Sequence, residues 1–286
     1  MCKKYFFVGT LLLSMLLNAC TKSVDIQLPY EGDRIVMNTL IQPDSVIYVR
    51  VTRSIPSNTL DDSGYKDIPG SSVTIMANGV ALPTPQIQVI KGFSYFVSTE
   101  KAVRGQQYTV QAQAPGLTAV TATDTLPVAP LAQNAGAQRN SNRVQFTLKD
   151  DPASGNYYRI RIYITGADGG QGAYLLFGLD PAFNNNLVDF FTKSNYNSLV
   201  MSDERFNGKD VNFVLQTVDP IPGASQVTVE VSALTRATYE YFSTMMAQKE
   251  NGNLALRNPV RVYTNVTNGY GIVGGINTKK LTFKVE

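Results

Sequence analysis

The stretch "NVTNGYGIVGG", Asn265 to Gly275, decides the fold, because Gly269-x-Gly271-x-x-Gly274 spells the glycine fingerprint of a dinucleotide-binding loop. Taken at face value it demands a parallel α/β sheet. The fingerprint works where its glycines join a strand to a helix whose N-terminus meets the pyrophosphate, with an acid about twenty residues further on for the ribose. Here the glycines are followed by "TKKLTFKVE", which reads as a strand and offers no helix dipole. No nucleotide cofactor is therefore expected, and the glycines are read as letting the chain turn or bulge before its last strand. Asn265-Val266-Thr267 also matches a glycosylation sequon, to which little weight is given.

Upstream, segments of period two follow one another. In "SVIYVRVTRSI" Ile47, Val49 and Val51 alternate with Tyr48, Arg50 and Thr52, the pattern of a strand with one wet face. "SSVTIMANG" repeats it and ends in Asn78-Gly79, a hairpin signal. "FSYFVST", "GQQYTVQAQAPG" and "LTAVTATDTLP" continue the series. The composition, 43% hydrophobic and 16% charged over 286 residues, suits a folded chain of two domains or one large sandwich. Pro127 and Pro130 in "LPVAPLA" mark the boundary, since two prolines in four residues interrupt a ladder. Beyond it come "RVQFTL", "NYYRIRIYIT", "DVNFVLQTV" and "SQVTVEVSA", with "LDPAFNNNLVDFFTKSNYNS" as a long polar loop. The expected fold is mainly β, two antiparallel β-sandwich domains at 30–127 and 128–286, the first of them immunoglobulin-like. Its claim rests on pattern, because the hallmark tryptophan and disulfide are both missing.

One helix is expected near 235–250 in the second domain. Thr235 stands as its N-cap, Tyr239, Phe242 and Met246 recur at helical spacing, and Asn251-Gly252 stops it. The apolar stripe is read as covering an open sheet, with a docking or ligand face as the alternative.

The N-terminus points to the compartment. Lys3 and Lys4 precede the apolar run "YFFVGTLLLSMLL", which is too short for a permanent membrane span but suits a signal-peptide core. Leu17-Asn18-Ala19-Cys20 then resembles the lipobox of bacterial lipoproteins, so residues 1–19 are expected to be a signal peptide, Cys20 the lipidated residue and 20–29 a tether. Of the two cysteines, Cys2 would leave with the signal peptide, so the mature chain would have no disulfide and Cys20 no role but the anchor. Two or three acyl chains suffice for stable membrane attachment. Loss of Lys3 and Lys4 takes the basic residues from 25 to 23 against 22 acids, a balance that offers no footprint for nucleic acid. Position 21 is not Asp, which favours sorting to the outer membrane.

Histidine is absent, which removes Ser-His-Asp and Cys-His nucleophile systems and imidazole metal sites. The remaining route to catalysis is a carboxylate pair, with Asp150, Asp151, Asp180, Asp203, Glu204 and Asp210 as candidates. Most sit in turn-like contexts, where Asp caps backbone amides, so a non-enzyme is expected. "DDPASGN" and "SDERFNGKD" could offer oxygens to calcium, although their spacing matches no EF-hand loop. No metal site or cofactor is assigned. The 15 tyrosines and 13 phenylalanines suggest binding instead, with Tyr48 and Tyr163 placed outward by alternation to stack on a peptide or glycan. The lack of tryptophan argues against a carbohydrate module.

Taken in order, the lipobox, "LPYEGDRIVMNTLIQPDSVIYVRVTRS", "GNYYRIRIY", "SDERFNGKDVNFVLQ", "LTRATYEYFSTM" and "NPVRVYTNVTNGYGIVGG" resemble a family of Bacteroidota lipoproteins known as a domain of unknown function, family number 4249. The resemblance runs from about Tyr30 to the C-terminus. It implies a β-rich outer-membrane or secreted lipoprotein, often encoded beside TonB-dependent receptors, and carries no functional residues over. Many surface-displayed lipoproteins of that phylum have an acidic run after the cysteine, whereas "TKSVD" has one acid. The expected function is a non-catalytic binding or accessory subunit, working with a TonB-dependent receptor in nutrient uptake. The alternatives are a structural or adhesive envelope lipoprotein, and a carboxylate-dependent glycosidase or calcium-dependent module.

Overall fold

The computed structural model describes residues 30, 32–56, 66–138, 140–152, 155–165, 171–180, 182–184, 196–221, 225–251 and 260–285. Residues 33–55 and 61–286 form one compact unit. Of the other unit, residues 1–32 and 56–60, only 30, 32 and 56 are described, none in a helix or strand. The expected signal peptide, tether and Cys20 lie outside the described residues.

Among the described residues, the large unit holds seventeen strands and one long helix. The first eight are β1 (Ile35–Ile41), β2 (Val46–Arg53), β3 (Ser72–Ala77), β4 (Val80–Ala81), β5 (Gln86–Ile90), β6 (Phe93–Lys101), β7 (Gln107–Gln113) and β8 (Val120–Thr125). β1-β2-β6-β5 stand side by side in the order of immunoglobulin strands A, B, E and D, and β3-β7-β8 in the order of C, F and G, with β4 added beside β3. Alternation sends one side chain in two inward: Ile47, Val49 and Val51 meet Val73, Ile75, Tyr108, Val110 and Ala112 in one core. Asn78 and Gly79, with φ of 48° and 82°, form the tight turn between β3 and β4 that the sequence signals.

The second set repeats this order. It comprises β9 (Leu131–Ala137), β10 (Arg143–Lys149), β11 (Tyr157–Thr165), β12 (Gln171–Tyr174), β13 (Phe177–Leu179), β14 (Leu199–Ser202), β15 (Asp210–Thr217), β16 (Gln226–Leu234) and β17 (Tyr270–Lys284). β9-β10-β15-β13 match A, B, E and D, and β11-β16-β17 match C, F and G, with β12 beside β11 and β14 as an insertion. Val144, Phe146, Leu148, Phe213 and Leu215 of one sheet bury against Tyr158, Ile160, Ile162, Val227, Val229 and Val231 of the other. Phe146 and Phe213, directly opposite in the ladder, stack at 5.2 Å, a contact worth about 0.5–1.5 kcal/mol beyond burial. The helix, α1 (Arg236–Asn251), starts as expected: Thr235 accepts at its hydroxyl from the Thr238 N–H (3.2 Å) and at its carbonyl from the Tyr239 N–H. Gly252 lies outside the described residues.

β17 departs from the sequence reading in two ways. It begins at Tyr270, so Gly271, Gly274 and Gly275 lie inside the last strand and not in a turn before it. Its first part pairs parallel with β1, from Val36↔Tyr270 to Ile41↔Gly275, the one parallel pair among the described strands. Its second part pairs antiparallel with β16, from Leu234↔Ile276 to Gln226↔Lys284. The division at 127/128 therefore does not separate the sheets. Val266 and Val273 belong to the first core, Leu281 and Phe283 pack on the second, and β17 fuses both into one nine-stranded sheet.

The fusion explains the glycines. A Cβ on Gly269 would stand 2.5 Å from the Ile35 carbonyl oxygen, and one on Gly275 2.6 Å from that of Thr125. Gly274 presses on the Thr238 hydroxyl in the same manner. Gly271 has φ of 105° and lies against the Met37 carbonyl, so it is glycine for both conformation and space. The fingerprint is a seam between two sandwiches. Asn265 of the sequon is engaged in the same seam, its side chain bonding both the N–H and the carbonyl of Val273.

Candidate functional site

Most of the candidate carboxylates are held by the chain's own groups. Asp150, buried, accepts from the Tyr158 hydroxyl (2.7 Å) and the Gly208 N–H (2.8 Å). Burial pushes its carboxyl up, the two hydrogen bonds pull it back, and the charges of Asp203 and Asp151 add to the rise. Burial and the bond to Asp150 push the Tyr158 phenol far up as well. Asp203 accepts from the Asn156 N–H (3.1 Å), which joins two turns at one end of the second sandwich. Asp180 starts a helical turn at 182–184 by accepting from the Ala182 N–H, and pairs with Arg143 at 2.6 Å. Asp210 makes an exposed ion pair with Lys149, and Asp151 and Glu204 face solvent. Among the described residues, no group of three or more acids or cysteines could hold a metal ion. Residues 153 and 154 of "DDPASGN" and much of the long polar loop lie outside them.

The helix stripe packs on the outer face of β11, with α1 also lying against β17, β14 and β16. Tyr239 stacks on Tyr157 at 4.5 Å, Phe242 lies 5.2 Å from the Arg159 guanidinium, and Met246 packs against the second core. Under this cover Glu230 is buried between two arginines: Arg161 donates its Nε at 2.7 Å and Arg159 stands at 3.5 Å. Burial and the neighbouring Arg161 charge bring Arg159 down to about 10, with Glu230 opposing them. Its Nε is buried with no hydrogen-bond partner. Tyr163, expected to be an outward binding ring, is buried edge-on to Tyr174 of β12. Alternation placed it on the outer face correctly but could not show the neighbouring strand that covers it.

Tyr48 is exposed, at 41%, and belongs to a larger constellation. Register sets Tyr95 and Phe93 of β6 on the outer face with Gln88 and Ile90 of β5 opposite them. Tyr48 meets Tyr95 edge to face at 6.4 Å. The Arg50 guanidinium lies 5.4 Å from the Phe93 ring and 5.9 Å from the Tyr95 ring, and donates to the Ser94 carbonyl at 2.7 Å. Asp67 takes hydrogen bonds from both Arg50 and Ser94. Slight burial would raise its carboxyl, but these bonds outweigh it and hold the group below the usual carboxylate range. The result is an exposed aromatic face whose cation, on β2, and anion, from the loop before β3, are fixed against each other. The alternation of "YVR" placed Tyr48 outward; nothing local signalled Asp67, which arrives from a loop.

A family profile described as "Domain of unknown function (DUF4249)" matches residues 21–282. The chain belongs to this family. The match spans both sandwiches and the seam, so the family's domain includes the shared sheet as a whole. No curated protein matches the chain.

Proposed function

We propose that this chain is an outer-membrane lipoprotein anchored through Cys20, acting as a non-catalytic binding or accessory subunit beside a TonB-dependent receptor in nutrient uptake. The aromatic face around Arg50 carries the reading. Rings and charges already fixed on rigid strands cost little entropy to engage, which suits recognition of a peptide or glycan. The lipobox supports the membrane anchor, and the resemblance to Bacteroidota lipoproteins supports the receptor as partner. No helix among the described residues is long and apolar enough to cross a membrane.

The test is an affinity pull-down of the C-terminally tagged protein from gently solubilised outer membranes, followed by mass spectrometry. A stoichiometric TonB-dependent receptor is the expected outcome. Recovery of the protein always alone, from membranes in which such receptors are abundant, removes the accessory role.

A further inference from the structure

The outer edge of β5, beside which no described strand lies, has features independent of the function proposed above. β5 ends the nine-stranded sheet, with β6 on one side and no described strand on the other. The β5–β6 hairpin closes through Lys91 and Gly92, whose φ values of 50° and 84° make a two-residue type I′ turn. Such a turn bonds the Ile90 carbonyl to the Phe93 N–H, so Ile90↔Phe93 is a hydrogen-bonded pair. Antiparallel pairs alternate, so Gln88↔Tyr95 and Gln86↔Val97 are hydrogen-bonded too. The backbone N–H and C=O groups of Ile87 and Val89 therefore point away from β6, to the open side.

The same two residues expose their side chains. Ile87 is 64% and Val89 71% exposed, although register puts them on the face of Phe96, which packs on the first core. The facing sheet does not cover them, because it ends in the two-residue β4, whose Val80 is 70% exposed. Soluble proteins blunt such edges with lysine, proline or inward charges. β5, "QIQVI", has none within it; Pro83 and Pro85 precede it and the Lys91-Gly92 turn follows it.

The strand is complementary to itself. A two-fold axis through Gln88 sets Ile87 opposite Val89 of a second copy and Val89 opposite its Ile87, which are the residues with free backbone groups. Both pairs then exchange both hydrogen bonds, four in all, and join apolar side chains on one face. Lys91 falls opposite Pro85 of the other copy, at the far end from its own mate, so no like charges meet. A register one residue off would put free backbone groups opposite groups already used.

We propose that the chain forms an isologous dimer by antiparallel pairing of β5 with β5 of a second copy, merging two nine-stranded sheets across the axis.

The axis permits a register-specific test. Gln88 faces itself as a non-hydrogen-bonded pair, with Cα atoms about 4.5 Å apart, inside the range a disulfide bridges. The two Gln86 residues sit four registers apart, roughly 14 Å. In a full chain carrying Cys2→Ser and Cys20→Ser, the Gln88→Cys variant is expected to cross-link under mild oxidation and Gln86→Cys to remain monomeric on a non-reducing gel. Adding Ile87→Lys, or separately Val89→Lys, to Gln88→Cys is expected to abolish the cross-link with the circular dichroism spectrum unchanged. Sedimentation of the uncross-linked parent should show a concentration-dependent dimer that Ile87→Lys removes. Failure of Gln88→Cys to cross-link, equal cross-linking at both positions, or a cross-link indifferent to both lysines overturns the proposal.

Discussion

The Gly275 N–H donates to the Asp124 carboxylate at 2.8 Å, tying β17 to β8 across 151 residues of chain. The same oxygen takes the hydroxyl of Thr235, the residue that caps α1, and the Thr235 N–H returns to the Gly275 carbonyl at 3.2 Å. One carboxylate thus joins the first sandwich, the helix N-terminus and the strand shared by both sandwiches. Its negative charge also lies where the helix dipole is positive.

Asp124→Ala leaves the Gly275 N–H and the Thr235 hydroxyl without their acceptor in a half-buried place. The expected loss is about 1–3 kcal/mol, read as a lower midpoint in urea unfolding with secondary structure retained. A midpoint unchanged from wild type would mean that the seam is held by backbone pairing alone.

The same group gives a pH dependence of definite sign. Burial raises the Asp124 carboxyl above its ordinary 3.8, against hydrogen bonds from Thr235, Gly275 and Thr125 that pull it down. An acid raised in the folded state contributes stability that is fully present below 3.8 and lost as pH rises through the folded value. Asp150 moves in the same direction. Asp124→Asn cannot titrate, so the difference in melting temperature between wild type and this variant is expected to shift in favour of wild type as pH falls through that window. A difference that stays constant with pH refutes the assignment to Asp124.

Gly271→Ala meets both the backbone conformation, φ of 105°, and the Met37 carbonyl, and neither can yield without parting β17 from β1. The expected cost is about 3 kcal/mol or more. Gly79→Ala is the control: it shares a positive φ of 82° but has nothing within 4 Å of the added carbon, so about 1–2 kcal/mol is expected. Equal losses in the two variants would show that conformation, and not the seam, selects Gly271.

The contrast between these glycines marks what could be read in the sequence. Period-two alternation placed Ile47, Val49 and Val51 inward and Tyr48 outward, and Asn78-Gly79 fixed a hairpin, because face and tight turns are local properties. Pairing across the chain is not local. The ladder of Val36 with Tyr270 has no signature in either segment, since alternation sets the face of a strand but not its partner. For the same reason Gly269 to Gly275 read as punctuation when they are the interior of a strand crowded from both sides. The cap that Asp180 makes was legible because a turn is local; the partners of Asp150, Asp203 and Asp67 come from distant segments and were not.

The anchor reading has a direct test. Cys20→Ser removes the acceptor of the acyl chains, and with it the only attachment proposed for the mature chain. The variant is expected to move from the membrane pellet to the soluble fraction, and to lose incorporation of a labelled fatty acid. Equal membrane retention would point to attachment through protein contacts.

Glu230 and Arg159 separate two meanings of a buried charge. Glu230 is buried between two guanidinium groups and, among the described residues, is the only carboxylate paired with them, so Glu230→Gln strands both cations, and a loss of about 3–5 kcal/mol is expected. Arg159 stands differently. Its Nε has no partner, its distance to Glu230 is 3.5 Å, and Arg161 remains on Glu230 without it. Arg159→Met keeps an unbranched side chain against the Phe242 ring and removes a cation whose burial already lowers its affinity for the proton. Its expected effect is within about 1 kcal/mol of wild type, with a gain more natural than a loss. Comparable destabilisation by both variants in chemical unfolding would mean that Arg159, and not Arg161, is the counter-ion that Glu230 requires.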